Sequence, residues 1–79
     1  MTDLKGTLAN IARAIVDSPE DVVVTVTEES ENTVSLKLSV APGDMGKVIG
    51  KHGKIAKAIR QLMKAAANGT GKKVTIDIE

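Results

Sequence analysis

Seventy-nine residues, 42% of them hydrophobic and 27% charged, suit one small folded domain over residues 1–79 and exclude two cores, a disordered chain or a membrane-embedded one. The chain has no cysteine, one histidine and no aromatic residue. This excludes disulfides, thiolate metal sites and a thiol nucleophile, leaves His52 too isolated to build a metal site, and rules out stacking nucleobases on Phe, Tyr or Trp. The net charge of +1 conceals an asymmetry: residues 1–40 carry three basic and seven acidic side chains, residues 41–79 eight basic and three acidic.

Leu4, Leu8, Ile11, Ala12, Ile15 and Val16 recur at helical spacing, with Thr2 or Asp3 as N-cap and Pro19 closing the segment. After Pro19-Glu20-Asp21, the β-branched stretch Val22–Thr27 predicts a strand. A second is predicted over Thr33–Val40, where Val34, Leu36, Leu38 and Val40 alternate. The polar connection Glu28–Asn32 has hairpin length, so the pair is expected to be antiparallel. Ala41-Pro42-Gly43 breaks the strand, Asp44 is placed to cap a new helix, and Met45–Ile49 gives little more than one turn before Gly50. Beyond Gly53, the pattern Ile55, Ile59, Leu62, Met63 and Ala66 predicts a longer helix that ends at Asn68-Gly69-Thr70-Gly71. Lys72–Glu79 alternates again through Val74, Ile76 and Ile78 and predicts a last strand. The expected fold is α+β, in the order α-β-β-α-α-β, with three helices in one layer on a three-stranded sheet. No apolar run exceeds three residues, so neither a signal peptide nor a membrane span is expected.

From Met45 through Lys73 the chain contains no Asp or Glu, yet Lys47, Lys51, Lys54, Lys57, Arg60, Lys64, Lys72 and Lys73 all fall there. A solvated helix face accounts for a few lysines and accounts poorly for the complete lack of acids, so the region reads as a surface for anions. Its centre is the short link Gly50-Lys51-His52-Gly53 between two predicted helices. Each glycine removes a side chain where a ligand's backbone approaches or where φ is positive. The helix that follows brings unpaired N–H groups and the positive end of its dipole to the same place, beside Lys51 and Lys54. Two glycines alone often do no more than permit a tight turn. The lead-in Val48-Ile49, the basic residues at both central positions and the acid-free surroundings favour a phosphate clamp.

The stretch Lys47-Val48-Ile49-Gly50-Lys51-His52-Gly53-Lys54-Ile55 resembles the signature of the KH domain, and the element order, over the whole chain, resembles its bacterial type II form. A KH domain of this size standing alone is similar to the small bacterial RNA-binding proteins of the KhpA type. The resemblance implies that the loop Gly50–Gly53 clamps the backbone of about four nucleotides of single-stranded RNA. Lys47, Lys54, Lys57 and Arg60 would continue that contact. Bases would lie in an aliphatic groove drawn from Val48, Ile49, Ile55, Ile59 and the last strand. The motif shows no departure, since neither central position is acidic. Lys54, Lys57, Arg60 or Gln61, and Lys64, at three- to four-residue spacing, form an expected backbone track opposite the apolar stripe. The resemblance further implies a cytoplasmic RNA chaperone or post-transcriptional regulator, linked in some bacteria to cell-wall synthesis and cell length. It also implies self-association or pairing with a larger KH protein of the KhpB (Jag) type.

Other functions fit less well. A nucleotide-binding P-loop needs a glycine five residues before the Gly-Lys pair and Ser or Thr after it. Gly53-Lys54 has Val48 and Ile55 there, and Gly71-Lys72 has Ala66 and Lys73. His52 as a catalytic base lacks an orienting acid nearby, Asp44 and Asp77 being the nearest on either side in sequence, so no enzyme, cofactor or metal is expected. A helix-turn-helix is disfavoured by the brevity of its first helix. A pure dimerisation module, with the basic face serving solubility, is the alternative that stays open.

Overall fold

The computed structural model describes residues 3–79. Helix α1 spans Leu4–Ile15, and Asp3 is its N-cap, accepting a hydrogen bond from the Gly6 N–H at 3.0 Å; Thr2, the other candidate cap, lies outside the described residues. Leu4, Leu8, Ala9 and Ala12 are the buried side of α1, with Ile11 and Val16 packed at its margin. Ile15, expected in the apolar stripe, is partly exposed. The helix stops there because Val16 is already extended, ahead of the 3₁₀ turn Pro19–Asp21.

Strand β1 is Val23–Glu29 and β2 is Thr33–Ser39, paired antiparallel with Val24 opposite Leu38 and Val26 opposite Leu36. The acidic pair Glu28-Glu29, read from sequence as connection, belongs to β1: a bulge between Val26 and Glu28 shifts the register and carries the strand two residues further. The turn is correspondingly shorter, built around the Ser30 hydroxyl, which accepts from the N–H groups of Asn32 and Thr33 at 3.3 and 3.2 Å. Strand β3, Lys73–Ile78, runs parallel to β2, with Val34 opposite Val74 and Leu36 opposite Ile76, so the sheet order is β1-β2-β3.

A parallel pair needs a crossover rather than a hairpin. Here the chain between β2 and β3 supplies α2 (Met45–Ile49) and α3 (Lys54–Ala67). Both lie in one layer with α1, and the fold is the two-layer α+β arrangement expected from the sequence. Leu8, Leu36, Leu38, Val48 and Met63 fill the space between helices and sheet. The α3 stripe differs from the expected one. Its buried residues are Ala56, Ile59, Met63 and Ala67, while Leu62 is 57% and Ile55 39% exposed and Ala66 sits at the margin. Alanines thus take two of the four buried positions of α3, and the larger Ile55 and Leu62 face outward.

Candidate functional site

The site begins with how α2 is held. Asp44 precedes α2, yet its side chain does not cap that helix. The carboxylate, in a residue only 3% exposed, instead accepts the backbone N–H groups of Asp17 and Ser18 at 3.2 and 3.0 Å. The sequence reading of Asp44 as a cap is therefore corrected: two amides just past α1 take the carboxylate, which is itself buried and has to be satisfied by donors of the protein. On the surface of the same junction Lys47 Nζ lies 3.2 Å from Asp17 Oδ2. The segment after α1 is thus fastened to the start of α2, which is too short to hold its own position.

From α2 the chain enters the loop. Gly50 adopts φ 74°, ψ 173°, a region that essentially only glycine occupies. A side chain there would also run into Ile55 Cγ1 at the start of α3. His52 (φ 58°, ψ 24°) and Gly53 (φ 74°, ψ 15°) are both left-handed, and the Gly53 N–H returns to the Gly50 carbonyl at 3.1 Å. The two glycines differ in what surrounds them. Gly50 is closed in by Ile55, whereas nothing lies within 4 Å of where a Gly53 side chain would be. Gly53 is therefore open to an incoming group. It is also the N-cap of α3 and offers no side chain to the first-turn amides, and that first turn contains no acid. Lys51 and His52 are exposed on the loop, and Lys54 is exposed on the first turn of α3.

Along α3, at 3.6 residues per turn, Lys57, Arg60 and Lys64 share one flank. Arg60 Nε donates to the Ile76 carbonyl of β3 at 3.3 Å, which turns that flank toward the free edge of the sheet. The expected placement opposite the buried stripe is corrected: the charges lie beside it, on the β3 side, and Ile55 and Leu62 occupy the other flank. Among the described residues the ion pairs are Lys47 with Asp17, Lys72 with Glu29 and Lys37 with Glu79. Among the described residues Lys51, Lys54, Lys57, Arg60, Lys64 and Lys73 have no carboxylate within ion-pair distance. The fold therefore pairs Lys37, Lys47 and Lys72 and leaves an unpaired run from the loop along α3, with Lys5, Arg13 and Lys73 also unpaired elsewhere among the described residues.

The structure brings Gly50, Lys51, His52, Gly53, Lys54, Lys57 and Arg60 into one continuous surface and directs Lys47 away toward α1. Of the groove candidates, Val48 (0% exposed) and Ile59 (2%) are sealed in the core, so they support the site from behind and offer no surface to a ligand. Ile49 (38%) and Ile55 (39%) remain partly exposed. Sequence reasoning missed Asp44 as an internal fastener, and it missed the outward Leu62. The partners of Asp44 lie 26 and 27 residues away, beyond any local pattern. The described residues contain no group of three or more His, Cys, Asp or Glu able to hold a metal ion.

Residues 5–78 match the family model described as KhpA/KhpB, KH domain. A protein named RNA-binding protein KhpA from Clostridium perfringens is 51% identical over 75 residues, which cover 95% of this chain and 99% of that protein. Proteins of the same name from Clostridium acetobutylicum (49% over 75 residues, 95% and 99% covered) and Listeria monocytogenes (48% over 71 residues, 90% and 92% covered) are similar to the same extent.

Proposed function

The chain belongs to the KH-domain family of KhpA and KhpB, with the type II order of elements, and on that footing we propose that it holds single-stranded RNA by the phosphate backbone at the loop Gly50–Gly53. The observation that carries this reading is the open left-handed Gly53 at the uncapped start of α3, flanked by Lys51, His52 and Lys54. An anionic oxygen there meets the positive helix end and two unpaired ammonium groups at once, while the Gly53 and Lys54 N–H groups are held by the Gly50 and Lys51 carbonyls. Lys57, Arg60 and Lys64 extend the contact, and partly exposed Ile49 and Ile55 supply aliphatic surface in place of aromatic rings. The test is fluorescence anisotropy of labelled short RNA at two salt concentrations, with the Lys51→Asp/His52→Asp double variant alongside. Aspartate tolerates the left-handed backbone required at position 52, so the variant is expected to fold. Salt-sensitive binding lost in the folded variant supports the clamp, and equal binding by both proteins sinks it.

A grip of this kind supports a finer role as a cytoplasmic RNA chaperone or post-transcriptional regulator, which acts on strands it can seize and release. The connection to cell-wall synthesis and cell length rests on the family resemblance alone. Pairing with a second copy, or with a KhpB (Jag)-type KH protein, is a second reading favoured by one observation. Leu62 (57% exposed) is a large apolar side chain on the flank of α3 away from the charges. Leu62→Glu is expected to abolish self-association in sedimentation experiments without removing RNA binding. A dimer that survives the substitution overturns that assignment.

A further inference from the structure

The chain has a single histidine and no cysteine, and that histidine stands between the two glycines of the loop. Histidine is the side chain whose ordinary titration falls between about pH 5 and 8. His52 is exposed, and its backbone is left-handed, a conformation that histidine, asparagine and aspartate adopt more readily than most residues. The elements packed most closely against the loop are α2 and α3. Their charged residues are all basic: Lys47 on α2, then Lys54, Lys57, Arg60 and Lys64 on α3, with Lys51 beside His52 on the loop itself. Asp44, the nearest acid before the loop, is buried and turned toward the Asp17 and Ser18 amides, and Asp17 is taken by Lys47. Among the described residues no carboxylate lies within ion-pair distance of His52.

A protonated His52 thus has no anion of its own protein to face, and it gains one only when a phosphate arrives. The neutral ring offers one N–H donor, whereas the protonated ring offers two and a positive charge. A phosphate held at the clamp therefore favours the protonated ring over the neutral one. By reciprocity, protonation favours the phosphate to the same extent. We propose that His52 makes RNA binding proton-linked, so that the loop grips the RNA backbone more tightly as pH falls through the histidine range. The complex holds more proton than the free components, which fixes the sign: affinity is highest on the acid side of the range and is lost as pH rises through it. This regulation rests on the RNA-binding reading above. It assigns His52 a part that a lysine, charged throughout the same range, cannot supply.

The experiment is fluorescence anisotropy with a short labelled RNA of uridine and guanosine, whose bases stay uncharged through the range. It is titrated with the wild-type chain and with His52→Asn at about pH 5.5 and about pH 7.5, each over a salt series. Asparagine tolerates the left-handed backbone and has no titrating ring, and thermal melting at both pH values checks that both proteins are folded. The wild-type chain is expected to bind about threefold more tightly at the lower pH, with a log-log salt slope steeper by up to roughly 0.7. His52→Asn is expected to show neither change, whatever its overall affinity. A wild-type affinity that does not move with pH, or a change that persists undiminished in His52→Asn, overturns the proton linkage and leaves the clamp standing. Absence of binding at both pH values overturns the clamp and the linkage together.

Discussion

The α-carbon of Gly50 rests against the side chain of Ile55, so that a Cβ at Gly50 would overlap Ile55 Cγ1 and stand 2.9 Å from the Ile55 backbone nitrogen. The loop and the start of α3 are thereby packed as one piece. Gly50→Ala combines a forbidden backbone region with that overlap and is expected to cost about 3 kcal/mol. Gly53→Ala meets nothing within 4 Å and pays for its left-handed backbone alone, about 1 kcal/mol. Urea denaturation of the two variants measures the difference; equal losses would mean that Ile55 yields freely.

Among the described residues His52 is the one residue other than glycine with positive φ. His52→Val places a β-branched side chain in that conformation and is expected to destabilise the protein by about 1–2 kcal/mol. His52→Asn is expected to be close to neutral. Similar melting temperatures for the two would show that the loop abandons its left-handed turn at little cost.

Pairing state separates the lysines in their effect on RNA binding. Lys57→Gln removes an unpaired charge from the α3 track and is expected to lower the slope of log affinity against log salt by roughly 0.7. Lys47→Gln removes a cation already engaged with Asp17 and is expected to change that slope much less. Anisotropy titrations over a salt series decide it, and equal slopes for the two variants would remove the distinction.

Asp44 gives a prediction about stability. Asp44→Ala leaves the amides of Asp17 and Ser18 without their acceptor and is expected to cost about 1–3 kcal/mol. Lys47→Ala, which breaks only an exposed ion pair at the same junction, is expected to cost less than about 1 kcal/mol. Chemical denaturation compares them, and a neutral Asp44→Ala would mean that water replaces the carboxylate.

Element order and the loop itself were legible because they are local. Periodicity marks α1, β2, α3 and β3, β-branched residues mark β1 and the break at Pro42-Gly43 marks the start of α2, while Gly50 and Gly53 punctuate the chain where φ turns positive. What escaped the sequence was tertiary. Glu28 and Glu29 look like loop residues because polarity signals exposure, and an edge strand is exposed too. Leu62 and Ile55 look like core by size, yet Ala56 and Ala67 take core positions with Ile59 and Met63. Asp44 looks like a helix cap because capping is the local use of an aspartate, and its partners come from the far side of two strands. Lys47 and Lys72 count as free charge in sequence until the fold sets Asp17 and Glu29 beside them.

The fastening of Asp17 and Ser18 to Asp44 also gives the molecule a built-in reporter. Neither residue lies in a helix or strand, and loop amides ordinarily exchange with deuterium quickly. Here both N–H groups point into a buried carboxylate, so their exchange requires the junction between α1 and α2 to open. Followed by nuclear magnetic resonance as RNA is added, these two amides register whether the footing of the loop stiffens when the strand is gripped, with no label or substitution anywhere near the ligand.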